Sequence, residues 1–137
     1  MQGVFLVAAE LARLGFIVSP TLRNAKGADL LVTDQQCIHA YSVQVKTNCE
    51  TFAYWLVGQH ARHLNSPTHI YVLVNLNNKT RQSEFYIVPS PKIAEITKEE
   101  VHKNSVWYFV SRTDVMEFKD AWHHFGEAKG KTEIVVP

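Results

Sequence analysis

Residues 27–47, G-A-D-L-L-V-T-D-Q-Q-C-I-H-A-Y-S-V-Q-V-K-T, are the stretch on which the reading of this chain turns. They predict two apolar strands, at 29–33 and 40–47, joined by a polar connection carrying Asp34, Gln35 and Gln36. A connection this short favours an antiparallel hairpin. Pairing Thr33 with Ala40 sets Asp29 opposite Gln44. Side chains alternate faces along a strand, so Asp29, Gln44 and Lys46 share one face, while Leu30, Val32, Val43 and Val45 point into a core. A carboxylate, an amide and an ammonium thus gather at one end of an otherwise apolar ribbon. Apolar sheets keep such groups where they pair or do chemistry.

The chain's 137 residues, 46% hydrophobic and 20% charged, suit one domain with a core large enough to need no disulfide or metal staple. Fourteen basic against thirteen acidic residues leave a net charge of +1, so any nucleic-acid surface must be a local patch. Cys37 and Cys49 are the only cysteines. The chain opens directly into a helical pattern, and no apolar run reaches membrane-spanning length. A reduced, cytoplasmic setting without membrane contact is expected.

Residues 4–14 predict a helix apolar nearly all round, closed by Gly15. Glu10 is its anomaly: the carboxylate either pairs with Arg13 or reaches toward Asp29 and Gln44. Residues 16–19 predict a short strand ended by Pro20. The loop 21–27 carries Arg23, Asn24 and Lys26 just before Asp29, either as a solvated turn or as a phosphate-contacting loop. Residues 55–64 suggest a helix despite Gly58, and 69–76 a strand covered on both faces, completing a right-handed crossover. Residues 84–88 return as a strand. Ser90-Pro91 opens a helix running to about Asn104, 106–110 form a strand, and a last helix runs to about Phe125. The expectation is a single α/β domain over residues 1–125: a central mixed sheet flanked by helices, with a C-terminal strand/helix extension and a loose tail at 126–137.

Oxygen donors suit hard divalent cations such as Mg2+, which take one or two carboxylates and complete the shell with water. Asp29, the backbone carbonyl of Val45 and the Gln44 amide oxygen can supply such a set. A lysine beside the ion can orient a water and offset charge on a phosphate, which suits phosphodiester hydrolysis.

With Glu10 in the first helix, Asp29 in G-A-D-L-L-V, and Gln44 and Lys46 in S-V-Q-V-K-T, the chain resembles the PD-(D/E)xK nuclease superfamily. The likeness in element order runs over residues 4–76. It implies a restriction-endonuclease-like αβββαβ core and a Mg2+-dependent DNA endonuclease, Mn2+ serving as substitute. Asp29 and Gln44 stand at the metal, Glu10 assists, and Lys46 acts on the water. The Q-x-K form resembles that of a transposase's endonuclease subunit. Ala28 replaces the proline of the family name, and Gln44 replaces an acidic ligand, removing one negative charge unless Glu10 supplies it. An inactive nuclease-fold domain binding nucleic acid or a protein is the alternative, and an Asp29–Lys46 ion pair on a solvated face is the ordinary structural one. A domain this small spans few phosphates, so duplex cleavage is expected to need two copies acting together. Neither His60 and His63 nor His123 and His124 lie at zinc-finger spacing from a cysteine. P-loop and Rossmann fingerprints are missing.

Overall fold

The computed structural model describes residues 1–22, 27–77 and 79–129. Strong helix formers over the first turns give α1 (Gln2–Arg13). It stops at Gly15, whose φ of +98° suits a residue without a Cβ. The amides of Gly15 and Phe16 close back on the carbonyls of Ala12 and Leu11, both at 3.0 Å, a Schellman ending. Val7 and Leu11 of α1 are fully buried against Leu30, Val32, Val43 and Val45.

Those four residues belong to a five-stranded sheet. Its strands are β1 (Ile17–Pro20), β2 (Leu30–Thr33), β3 (Ala40–Asn48), β5 (His69–Asn75) and β6 (Glu84–Pro89), in the order β1-β2-β3-β5-β6. β2 and β3 pair antiparallel from Thr33↔Ala40 to Leu30↔Val43, the register expected from the short polar connection. β3 and β5 run parallel, and β6 returns antiparallel to β5. Every residue of β5 is buried, as its unbroken apolar run implies for a strand covered on both faces.

The second cover differs from expectation. Residues 55–64 do not form a helix: β4 (Tyr54–Val57) precedes a single 3-10 turn, Gln59–Arg62. Trp55 and Val57 face inward while Tyr54 and Leu56 face out, a period of two. The Trp55 indole N–H donates to the Val74 carbonyl at 3.0 Å, which holds β4 over the sheet. α2 (Ser90–Ile96) is also shorter than expected. Ser90 does not cap it; its hydroxyl donates to the Ser66 carbonyl at 2.6 Å. Residues beyond it form β7 (Lys98–His102), a hairpin partner of β8 (Ser105–Ser111). β4, β8 and β7 make a three-stranded antiparallel sheet. With α2 it buries Trp55, Ile93 and Val110 against Tyr71, Leu73 and Tyr86. The expected last helix is instead three 3-10 turns, Arg112–Asp114, Met116–Phe118 and Trp122–Phe125. Ala128 packs into the α1 side of the core, and its carbonyl accepts the Gln35 amide at 2.8 Å.

Candidate active site

The β2–β3 ladder ends at Leu30↔Val43, one residue short of Asp29. There the Asp29 amide turns to the Val43 carbonyl at 2.7 Å, and its carboxylate Oδ2 accepts the Val45 amide at 2.7 Å. A strand N–H points in the plane of the sheet, so the Asp29 carboxylate lies at the sheet's edge, at the open end of β2. The N–H and C=O of one strand residue point to the same edge, which directs the Val45 carbonyl to this end as well. Thr21 pins the other side of the loop, its amide donating to the Asp29 carbonyl at 3.0 Å and its hydroxyl to the Ala28 carbonyl at 2.6 Å.

Gln44 and Lys46 flank Val45, about 4 Å away along the chain. Both are half-buried. Their register partners on β5 are Tyr71 and Leu73, which belong to the second cluster, so Gln44 and Lys46 lie on the face away from α1. Among the described residues neither Asp29 nor Lys46 enters an ion pair, which leaves no Asp29–Lys46 surface pair to account for them.

The first turn of α1 reaches Asp29 from the other face. Gly3 lies against Thr47 of β3 so closely that a Cβ there would run into the Thr47 hydroxyl. This contact sets Val4 and Phe5 beside Asp29 in a cleft of about 430 Å3. Glu10 stands one and a half turns further along α1. Its carboxylate is held by Arg13 at 2.9 and 3.0 Å, toward the helix's C-terminal end. The structure therefore joins Asp29 to Val45, the residue between Gln44 and Lys46 in the sequence, and gives Glu10 to Arg13. Arg23, Asn24 and Lys26 lie outside the described residues.

The groups that could hold an ion here are all oxygen donors: the Asp29 carboxylate, the Val45 carbonyl and the Gln44 amide. That set fits Mg2+ with water completing its shell and is a poor fit for zinc. Among the described residues no three His, Cys, Asp or Glu side chains come together as a metal cluster.

Asp34, at the other end of β2, is the carboxylate that pattern reading passed over. It is 3% exposed and accepts the amides of Gln36, Ile38 and His39, with the His39 ring Nδ1 at 3.0 Å. Burial pushes its carboxyl up, but the amides of His39, Ile38 and Gln36 outweigh that and hold it below the ordinary value. A five-residue polar turn returning to a strand is the signal that could have marked it.

The chain is similar in structure to Hjc, a Holliday junction resolvase of Archaeoglobus fulgidus, with a TM-score of 0.52 and 10% identity over 82% of this chain and 91% of that one. It is also similar to a bacterial homing endonuclease, with a TM-score of 0.55 and 17% identity over 88% and 83% of the two chains. The fold is restriction-endonuclease-like. No protein-family model and no curated protein matches the sequence. The β4-β8-β7 sheet covers the face that was expected to carry a crossover helix.

Proposed function

We propose that this chain is a Mg2+-dependent endonuclease that hydrolyses DNA phosphodiester bonds at Asp29, Gln44 and Lys46. The observation that carries this reading is the Asp29 carboxylate on the Val45 amide at 2.7 Å, at the open end of β2 and one residue from both Gln44 and Lys46. Asp29, the Val45 carbonyl and the Gln44 amide oxygen are the groups that would hold the ion. Bound there, Mg2+ would stabilise charge developing on the phosphate oxygens. Lys46 orients the attacking water and donates to the phosphate as negative charge grows. The Val45 amide fixes the rotamer of Asp29, so its second oxygen is aimed before substrate arrives. The first turn of α1 adds the partial positive end of a helix near the phosphate. Arg23, Asn24 and Lys26 complete the proposal as a DNA-contacting loop, and two copies of the chain act together on a duplex.

Glu10 is left out of the ligand set because it is engaged by Arg13. With one carboxylate at the site, an inactive nuclease-fold domain is the competing reading. Nicking of supercoiled plasmid with Mg2+ and with Mn2+ decides between them. The expected result is metal-dependent nicking lost on chelation. A pure, folded protein that nicks nothing with either ion overturns the proposal.

A further inference from the structure

The cleft beside Asp29 has a wall that phosphodiester hydrolysis does not require. Met1, Val4, Phe5, Pro20, Thr21 and Leu22 line it together with Asp29. Phe5 is 57% exposed and Leu22 88% exposed, large apolar side chains turned to solvent directly beside a carboxylate. Exposed apolar groups gathered in a concave site mark a place where something apolar binds. Apart from Asp29, the side chains of the described lining residues carry no charge. What such a wall suits is a flat, neutral ring. The contact of Gly3 with Thr47 and the Thr21–Asp29 hydrogen bond fix the two segments that carry Phe5 and Leu22.

We infer that this cleft receives an unstacked nucleobase of the strand being cut, so that the preferred substrate is DNA with unpaired nucleotides at the cleavage position. The inference rests on reading Asp29 as the centre of cleavage. A strand whose phosphate lies at Asp29 carries its neighbouring base into contact with Phe5. Within a continuous duplex that base is stacked and paired, and extracting it costs free energy that a flap, gap or branch has already spent. Every base presents a π-face, so stacking on Phe5 selects unpaired structure and not sequence.

Binding measured without divalent metal tests this separately from cleavage. The probes are a continuous duplex and the same duplex carrying a short unpaired flap with 2-aminopurine at its base, followed by fluorescence anisotropy and 2-aminopurine emission. The parent should bind the flap about tenfold more tightly than the duplex, from the stacking of one base. F5A should lose that preference, F5W should keep it, and L22A should weaken it. Phe5 is exposed, so the melting temperatures of these variants should match that of the parent. Equal affinity for flap and duplex, unchanged in F5A, overturns the base-binding cleft while leaving plasmid nicking to report on Asp29. A flap preference lost in F5A in a protein that nicks nothing with Mg2+ or Mn2+ upholds the cleft and removes the nuclease. No binding of either DNA, with self-association abolished by F5A in sedimentation, makes the cleft a contact between copies of the chain and also overturns the inference.

Discussion

Asp29 and Asp34 stand at the two ends of the same short strand, and their surroundings differ in every respect that matters. Asp34 is closed off from solvent and its oxygens are saturated by three amides and an imidazole. It is consumed in holding the turn between β2 and β3. Asp29 is half-buried, accepts one amide on one oxygen among the described residues, and opens onto a cleft. A carboxylate with nothing left to accept belongs to the fold, whereas one that is aimed but unsaturated is available to a ligand. The comparison also shows why two aspartates five residues apart are not interchangeable, although both sit beside apolar strand residues in the sequence.

The largest effects should separate the two ends of β2. D29N and K46A should each lower nicking about a hundredfold or more, since each removes a group acting on developing charge. Their melting temperatures should stay near that of the parent, because neither residue is in an ion pair among the described residues. D34N should do the reverse. Its amide nitrogen would face N–H donors of His39, costing about 1–3 kcal/mol. That lowers the melting temperature by roughly 3–10 °C for a domain of this size, with activity per folded molecule retained. Equal loss of activity from D34N and D29N at a temperature where both are folded would erase the distinction.

Gln44→Glu sharpens the functional end. It adds a charged oxygen where an amide stands, so Mn2+ should bind about tenfold more tightly by calorimetry, and nicking should hold or rise. Weaker metal binding in Q44E would remove Gln44 from the ligand set.

Acid acts at the structural end. The Asp34 carboxyl is held below its ordinary value in the folded chain, so the folded state binds its proton less readily than the unfolded state. Its stabilisation is therefore fully present above the unfolded value of about 3.9 and is lost as pH falls through the lower folded value. The gap in melting temperature between parent and D34N should be constant near neutrality and begin to narrow below about pH 4. A gap that does not narrow at all as the pH falls further contradicts this assignment.

How much of this was legible depends on how local each cause is. The register of β2 on β3 followed from a short polar turn between two alternating strands, and the burial of β5 from its unbroken apolar run. The segment at 55–64 reads as a helix because the three residues W-L-V at 55–57 satisfy either period. Its backbone pairing with β8, from Tyr54↔Ser111 to Val57↔Tyr108, is what makes it a strand, and the Trp55–Val74 hydrogen bond ties that strand to the main sheet. The helix expected through Asn104 ends at Ile96 because residues 98–102 pair with β8 across the two-residue turn Lys103-Asn104, where Asn104 is the local hairpin signal. At the site, Asp29, Gln44 and Lys46 stood out as polar groups in apolar strands. That Asp29 is held by the Val45 amide is a backbone event and leaves no trace in residue types.

Glu10 gives the smallest expected effect and the last test of the comparison. Its pair with Arg13 is partly exposed, with 34% of the Glu10 and 67% of the Arg13 side chain open to solvent. Screened pairs three apart on a helix contribute only about 0.2–0.5 kcal/mol. E10Q should therefore shift the melting temperature by about 1–2 °C at most. Nicking should change less than about threefold, because a carboxylate held toward the C-terminal end of α1 neither binds the ion nor touches substrate. Arg13→Ala frees Glu10 and tests the same point from the other side. If Glu10 belongs to Arg13 alone, R13A matches E10Q in both measurements. If instead E10Q loses activity as D29N does, while R13A gains it, then Glu10 exchanges Arg13 for the metal when DNA arrives. The site would then hold two carboxylates, and the single unsaturated aspartate at the open end of β2 would not be sufficient for cleavage.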